Sequence, residues 1–109
     1  MTAEAWEEVA RVEEVPEDGT LRVTFKGEPV CLYNIGGTIY ATHDTCSHAE
    51  ASLADGFIVE QYQIECPLHA GTFDIRTGKA VREPCTVDIK TYRVKAVESA
   101  VYLSSQEVE

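Results

Sequence analysis

Two short pairs of metal-binding side chains set the tightest limit on what this chain can fold into. The first is Cys46-Ser47-His48 and the second is Cys66-Pro67-Leu68-His69, with the segment from Ala49 to Glu65 between them. Each pair offers one thiolate and one imidazole, soft or borderline donors that suit a transition metal rather than a magnesium or calcium cage. A fold that uses all four must bring two loops side by side. Zinc modules usually group like ligands around one tetrahedral ion, whereas each loop here is mixed. Adjacent mixed loops can set two cysteines at one end of a shared cofactor and two histidines at the other, which calls for a cofactor with unlike ends.

A Rieske 2Fe-2S centre has that asymmetry, since two histidines replace two cysteines on one of its irons. Cys-x-His followed by Cys-x-x-His at this separation resembles the Rieske signature. Gly36-Gly37-Thr38-Ile39-Tyr40-Ala41 upstream and Ile89-Lys90-Thr91-Tyr92 downstream are similar to the small Rieske ferredoxins of bacterial aromatic-ring dioxygenase systems, so the likeness covers most of the chain. The resemblance implies an all-β Rieske fold, an antiparallel β base carrying a two-loop cluster-binding subdomain, with loops near 44–52 and 66–74. It implies one 2Fe-2S cluster, with Cys46 and Cys66 on the inner iron and His48 and His69 on the outer one. It further implies an electron-transfer component rather than an enzyme, a monomer taking electrons from a flavin-containing, NADH-dependent reductase and passing them to a terminal oxygenase.

Two neutral imidazoles in place of two thiolates leave an oxidised cluster formally neutral, so an electron is added more easily. Rieske centres span roughly −150 to +300 mV, against about −400 mV for plant-type ferredoxins. Respiratory-chain Rieske proteins add a loop disulfide and hydroxyl donors to sulfur. The matching positions here are Ala51, Leu68, Gly71 and Phe73, none able to form a disulfide or donate from a hydroxyl, which places this chain near the low end of that span.

The 109 residues 1–109 are expected to form a single domain. No apolar run approaches the roughly 18 residues of a membrane span, and the acidic start from Met1 to Glu14 is unlike a signal peptide. A cytoplasmic protein is expected, with reduced cysteines available as ligands. Nine basic residues against 19 acidic ones give a net charge of −10, which argues against nucleic acid. Glu4, Glu7, Glu8, Glu13, Glu14, Glu17 and Asp18 crowd the start against a single Arg11. They either keep the surface solvated or steer a basic partner.

Along the chain, Trp6 to Val12 reads as an edge strand, and Leu21, Val23 and Phe25 alternate with Arg22, Thr24 and Lys26 as a half-buried strand does. Val30 to Ile35 and Thr38 to Thr42 flank the two-residue hairpin signal Gly36-Gly37. Gly56 to Val59, Tyr62 to Glu65 and Thr72 to Asp74 read as short strands, Thr77-Gly78-Lys79 as a turn, and Arg82 to Cys85 as an irregular crossing before Val87 to Ile89. Tyr92, Val94 and Ala96 alternate with charged residues, and Ala100 to Leu103 returns across Glu98-Ser99. Short strands at turn-rich spacing predict a sandwich or small barrel.

Cys31, inside the third strand, reads as a small buried apolar residue. Cys85 follows Pro84 in the segment that, by resemblance, packs over the cluster, near the iron without touching it. His43 reads as a loop residue. Ser47, Asp74 and a histidine make a hydrolytic triad on paper only, for no nucleophile-elbow motif accompanies them. Two rivals stay open: a structural zinc module, and a Rieske-type subunit of another oxidoreductase such as a monooxygenase or a nitrite reductase.

Overall fold

The computed structural model describes residues 5–46, 51–68, 70–83, 85 and 87–107, with backbone alone for 105–107. Among the described residues, ten strands fall into three antiparallel sheets. β1 (Trp6–Arg11) pairs with β10 (Ala100–Glu107), which pairs with β9 (Tyr92–Val97). β2 (Gly19–Phe25), β3 (Glu28–Ile35) and β4 (Thr38–His43) form a meander. The third sheet orders β5 (Phe57–Val59), β6 (Gln63–Glu65), β7 (Thr72–Asp74) and β8 (Ala80–Arg82) in sequence.

Turn chemistry sets the hairpins. Lys26-Gly27, Gly36-Gly37 and Glu98-Ser99 each join paired strands with two residues at positive φ, the twist that matches right-handed strands. At Glu98 and Ser99 that conformation is held without glycine, by the ladder from Val97–Ala100 onward. The first two sheets are linked by an isolated bridge between Thr42 and Thr91 and by the His43 amide donating to the Lys90 carbonyl at 2.8 Å.

β3 is the central strand, buried on both faces, which explains its continuous apolar run. Val30 and Leu32 face a core with Phe25, Ile39, Ala41, Tyr92, Val101 and Leu103. Cys31, Tyr33 and Ile35 face a second core with Leu53, Ile64, Phe73 and Ile75 of the loop-bearing region. Burial holds the Cys31 thiol far above the usual thiol range, so it acts as an apolar residue, as expected.

Three details depart from the sequence reading. His43 closes β4, paired with Val30, rather than lying in a loop. Arg82 belongs to β8, a strand whose Val81 and Arg82 are exposed and so carry no burial pattern. Leu53–Asp55 is a short 3-10 turn, with Leu53 fully buried beneath it.

Candidate metal centre

Both cysteines of the motif open a six-residue hairpin loop. Thr45 bridges Ser52 across residues 46–51, and Glu65 pairs with Thr72 across residues 66–71. In each loop the cysteine amide donates to the carbonyl five residues on: Cys46 to Ala51 at 2.9 Å and Cys66 to Gly71 at 2.8 Å. The second loop is tightened by the Ala70 amide, which donates to the Cys66 carbonyl at 3.1 Å while Ala70 takes a left-handed φ of 61°. Each motif cysteine thus begins a loop closed by the same amide-to-carbonyl bond. His48 and His69, expected as the imidazole donors, lie outside the described residues.

Cys46 and Cys66 are 3% and 1% exposed and share one buried cluster with Cys85, Phe73 and Ile64. Cys85 Sγ lies 4.0 Å from Cys46 Sγ. Burial, reinforced by the Cys46 and Cys66 sulfurs, pushes the Cys85 thiol up to about 12. The positions read as lacking hydroxyl donors divide: Phe73 is fully buried in the cluster, Gly71 meets Cys85, Ala51 closes the first loop and Leu68 is 58% exposed. With Val87, 63% exposed, Leu68 puts apolar surface on the segments around the cysteines.

Asp44 is a residue whose part the sequence reading missed. Only 2% exposed, its carboxylate accepts from the Ala54 amide at 2.9 Å and faces the Arg22 guanidinium at 3.9 Å. Its own amide donates to the Pro29 carbonyl, and its carbonyl accepts from the Leu53 amide. One side chain thereby ties β2, the end of β4 and the return path of the first loop. A carboxylate two residues before the ligand motif is the only signal the sequence offers for it, because its burial is a tertiary fact.

Gly71 seats the second loop against the Cys85 segment. A Cβ there would stand 2.5 Å from Cys85 Sγ and 3.0 Å from the Arg82 carbonyl and the Cys85 amide. Overpacking of this kind costs about 1–3 kcal/mol. Gly71→Ala is expected to lower both the thermal midpoint and the iron bound per chain, measured by visible absorbance on heating and by metal analysis. An unchanged midpoint would show that the Cys85 segment yields freely.

Comparison with known proteins agrees with this geometry. The profile of the Rieske [2Fe-2S] domain matches residues 5–93. The ferredoxin component of the 2,4-dinitrotoluene dioxygenase system of Burkholderia sp. (strain RASC) is 46% identical over 101 residues, 93% of this chain and 96% of that protein. Among solved structures, the Sphingomonas yanoikuyae B1 ferredoxin superposes with a TM-score of 0.87 at 32% identity, covering 94% of this chain and all of that one. A chain of the complex of reduced oxygenase and oxidized ferredoxin in carbazole 1,9a-dioxygenase gives 0.86 at 34% identity, covering 95% and 96%.

The chain belongs to the Rieske 2Fe-2S family. Its cofactor is a Rieske 2Fe-2S cluster, and its relatives are ferredoxins, electron carriers rather than catalytic oxygenases. The donor chemistry fits: two buried cysteines head loops closed by the same amide-to-carbonyl bond, in a seat that a Cβ at Gly71 would crowd.

Proposed function

We propose that this protein carries one electron at a time from a flavin-containing, NADH-dependent ferredoxin reductase to a terminal aromatic-ring-hydroxylating oxygenase. Cys46, His48, Cys66 and His69 hold the cluster in this reading. The observation that carries it is the pair of matched six-residue loops, each opening on a buried cysteine and each containing one histidine of the motif. The cluster supplies a reversible one-electron store. The chain supplies a buried seat for the sulfurs, and the exposed Leu68 and Val87, close in sequence to Cys66 and Cys85, offer apolar surface for contact.

Because one cluster stores one electron, a hydride's pair requires two visits, so partners must release quickly. A small docking surface and charge steering suit that need. The exposed Glu7, Glu8, Glu13, Glu14, Glu17 and Asp18 lie on or after β1, in a part of the fold that carries neither cysteine loop. Reduction by the reductase is expected to slow at least about threefold as salt rises from roughly 50 to 500 mM, since exposed charges are screened over that range. A salt-independent rate in stopped-flow traces would leave these acids as solubility groups.

We place the protein in the cytoplasm as a single-domain monomer. No disulfide joins any of the four cysteines, in keeping with a reducing compartment, and among the described residues no helix is long and apolar enough to cross a membrane. Reconstitution with candidate reductases and oxygenases tests the whole reading. Product formation coupled to NADH consumption, dependent on this protein, is the expected result. A colourless protein holding one zinc and no sulfide would overturn it.

A further inference from the structure

Cys85 is 3% exposed and lies outside both loops of the motif, yet it touches each of them. Its Sγ is 4.0 Å from Cys46 Sγ in the first loop, and it closes on Gly71 in the second, where even one added carbon would meet that sulfur. Its amide donates to the Arg82 carbonyl at 3.1 Å, which anchors the residue to the end of β8. The thiol is therefore held between the loops by backbone contacts.

Of the two sulfurs, only one can be the donor once Cys46 is bound to iron as a thiolate. We propose that Cys85 is a positioning residue whose thiol donates an S–H···S hydrogen bond to Cys46 Sγ and thereby raises the reduction potential. The inference rests on the reading of Cys46 as a cluster ligand. A thiol is a weak donor, but an anionic acceptor strengthens such bonds. Donation to a ligand sulfur stabilises the state that carries more negative charge there, which is the reduced one. Cys85 is then a donor in a pocket whose other candidate positions, Gly71 and Phe73, have none to offer.

Three variants of the cluster-loaded protein test it by voltammetry: Cys85→Ala, Cys85→Val and Cys85→Ser. Valine fills the site without a donor, alanine leaves it empty, and serine keeps a donor. The expected result is a lower potential in both alanine and valine variants, with serine returning toward the parent. A potential unmoved by valine overturns the proposal. So does a fall in serine equal to that in valine, which would make the role one of shape alone. Failure of both donorless variants to assemble a cluster would also overturn it, placing Cys85 in building the pocket rather than in tuning it. Failure of the ligand reading looks different: the parent protein itself would give no 2Fe-2S resonance on reduction.

Discussion

Exchange of His48 for cysteine is expected either to leave the protein unable to retain its cluster or to pull the reduction potential down by on the order of 100 mV or more, toward the roughly −400 mV of all-cysteine ferredoxins. The reason is charge. An imidazole is neutral, whereas a third thiolate would add a negative charge to the ligand set and make a further electron harder to accept. The cysteine side chain is also shorter than the imidazole it replaces, in a loop whose ends are joined by the Thr45–Ser52 bridge and the Cys46–Ala51 hydrogen bond. Visible spectra and voltammetry of the variant check both arms. If spectrum and potential match the parent, His48 does not bind the cluster.

Removing the Asp44 carboxylate should have the largest effect on stability among the residues beside the motif. In Asp44→Ala the Ala54 amide loses its acceptor and the Arg22 guanidinium its facing charge, while the bend after β4 loses its side-chain tie. A hydrogen bond to a charged group is worth about 1.5–3 kcal/mol, and the Arg22 contact adds little because that side chain is largely exposed. A loss of about 2 kcal/mol is expected, which for a domain of this size lowers the midpoint of thermal unfolding by roughly 8–16 °C. Asp44→Asn keeps an acceptor and should retain more than half of that stability. Loss of cluster absorbance on heating reports both variants. An alanine variant as stable as the parent would show that the backbone bonds of Asp44 hold the loop alone.

Much of the base was legible because its strands are patterned by burial. Leu21, Val23 and Phe25 alternate with exposed Arg22 and Thr24, and the glycine pair at 36–37 marks its hairpin without ambiguity. The class of cofactor was legible in residue type and spacing, and the structure adds that each motif cysteine opens a loop closed by the same backbone bond. What the sequence concealed is tertiary. β8 is three residues long with two of them exposed, so neither period nor hydrophobicity reveals it, and only its pairing with Thr72 and Phe73 makes it a strand. Asp44 reads as an ordinary polar loop residue until β2 and the 3-10 turn close over it. The nearness of Cys85 to Cys46 joins positions 39 residues apart, a separation that local pattern does not encode.

The two-sided strand β3 has a mechanical consequence. Its odd-numbered side chains Cys31, Tyr33 and Ile35 belong to the loop-bearing core, and its even-numbered Val30 and Leu32 to the core of the base. A single rigid strand therefore forms part of both bodies, and a swinging motion of one against the other would have to tear side chains out of close packing. With β3 shared in this way between both cores, the distance an electron must cross is set by how two whole molecules settle together rather than by one core swinging against the other.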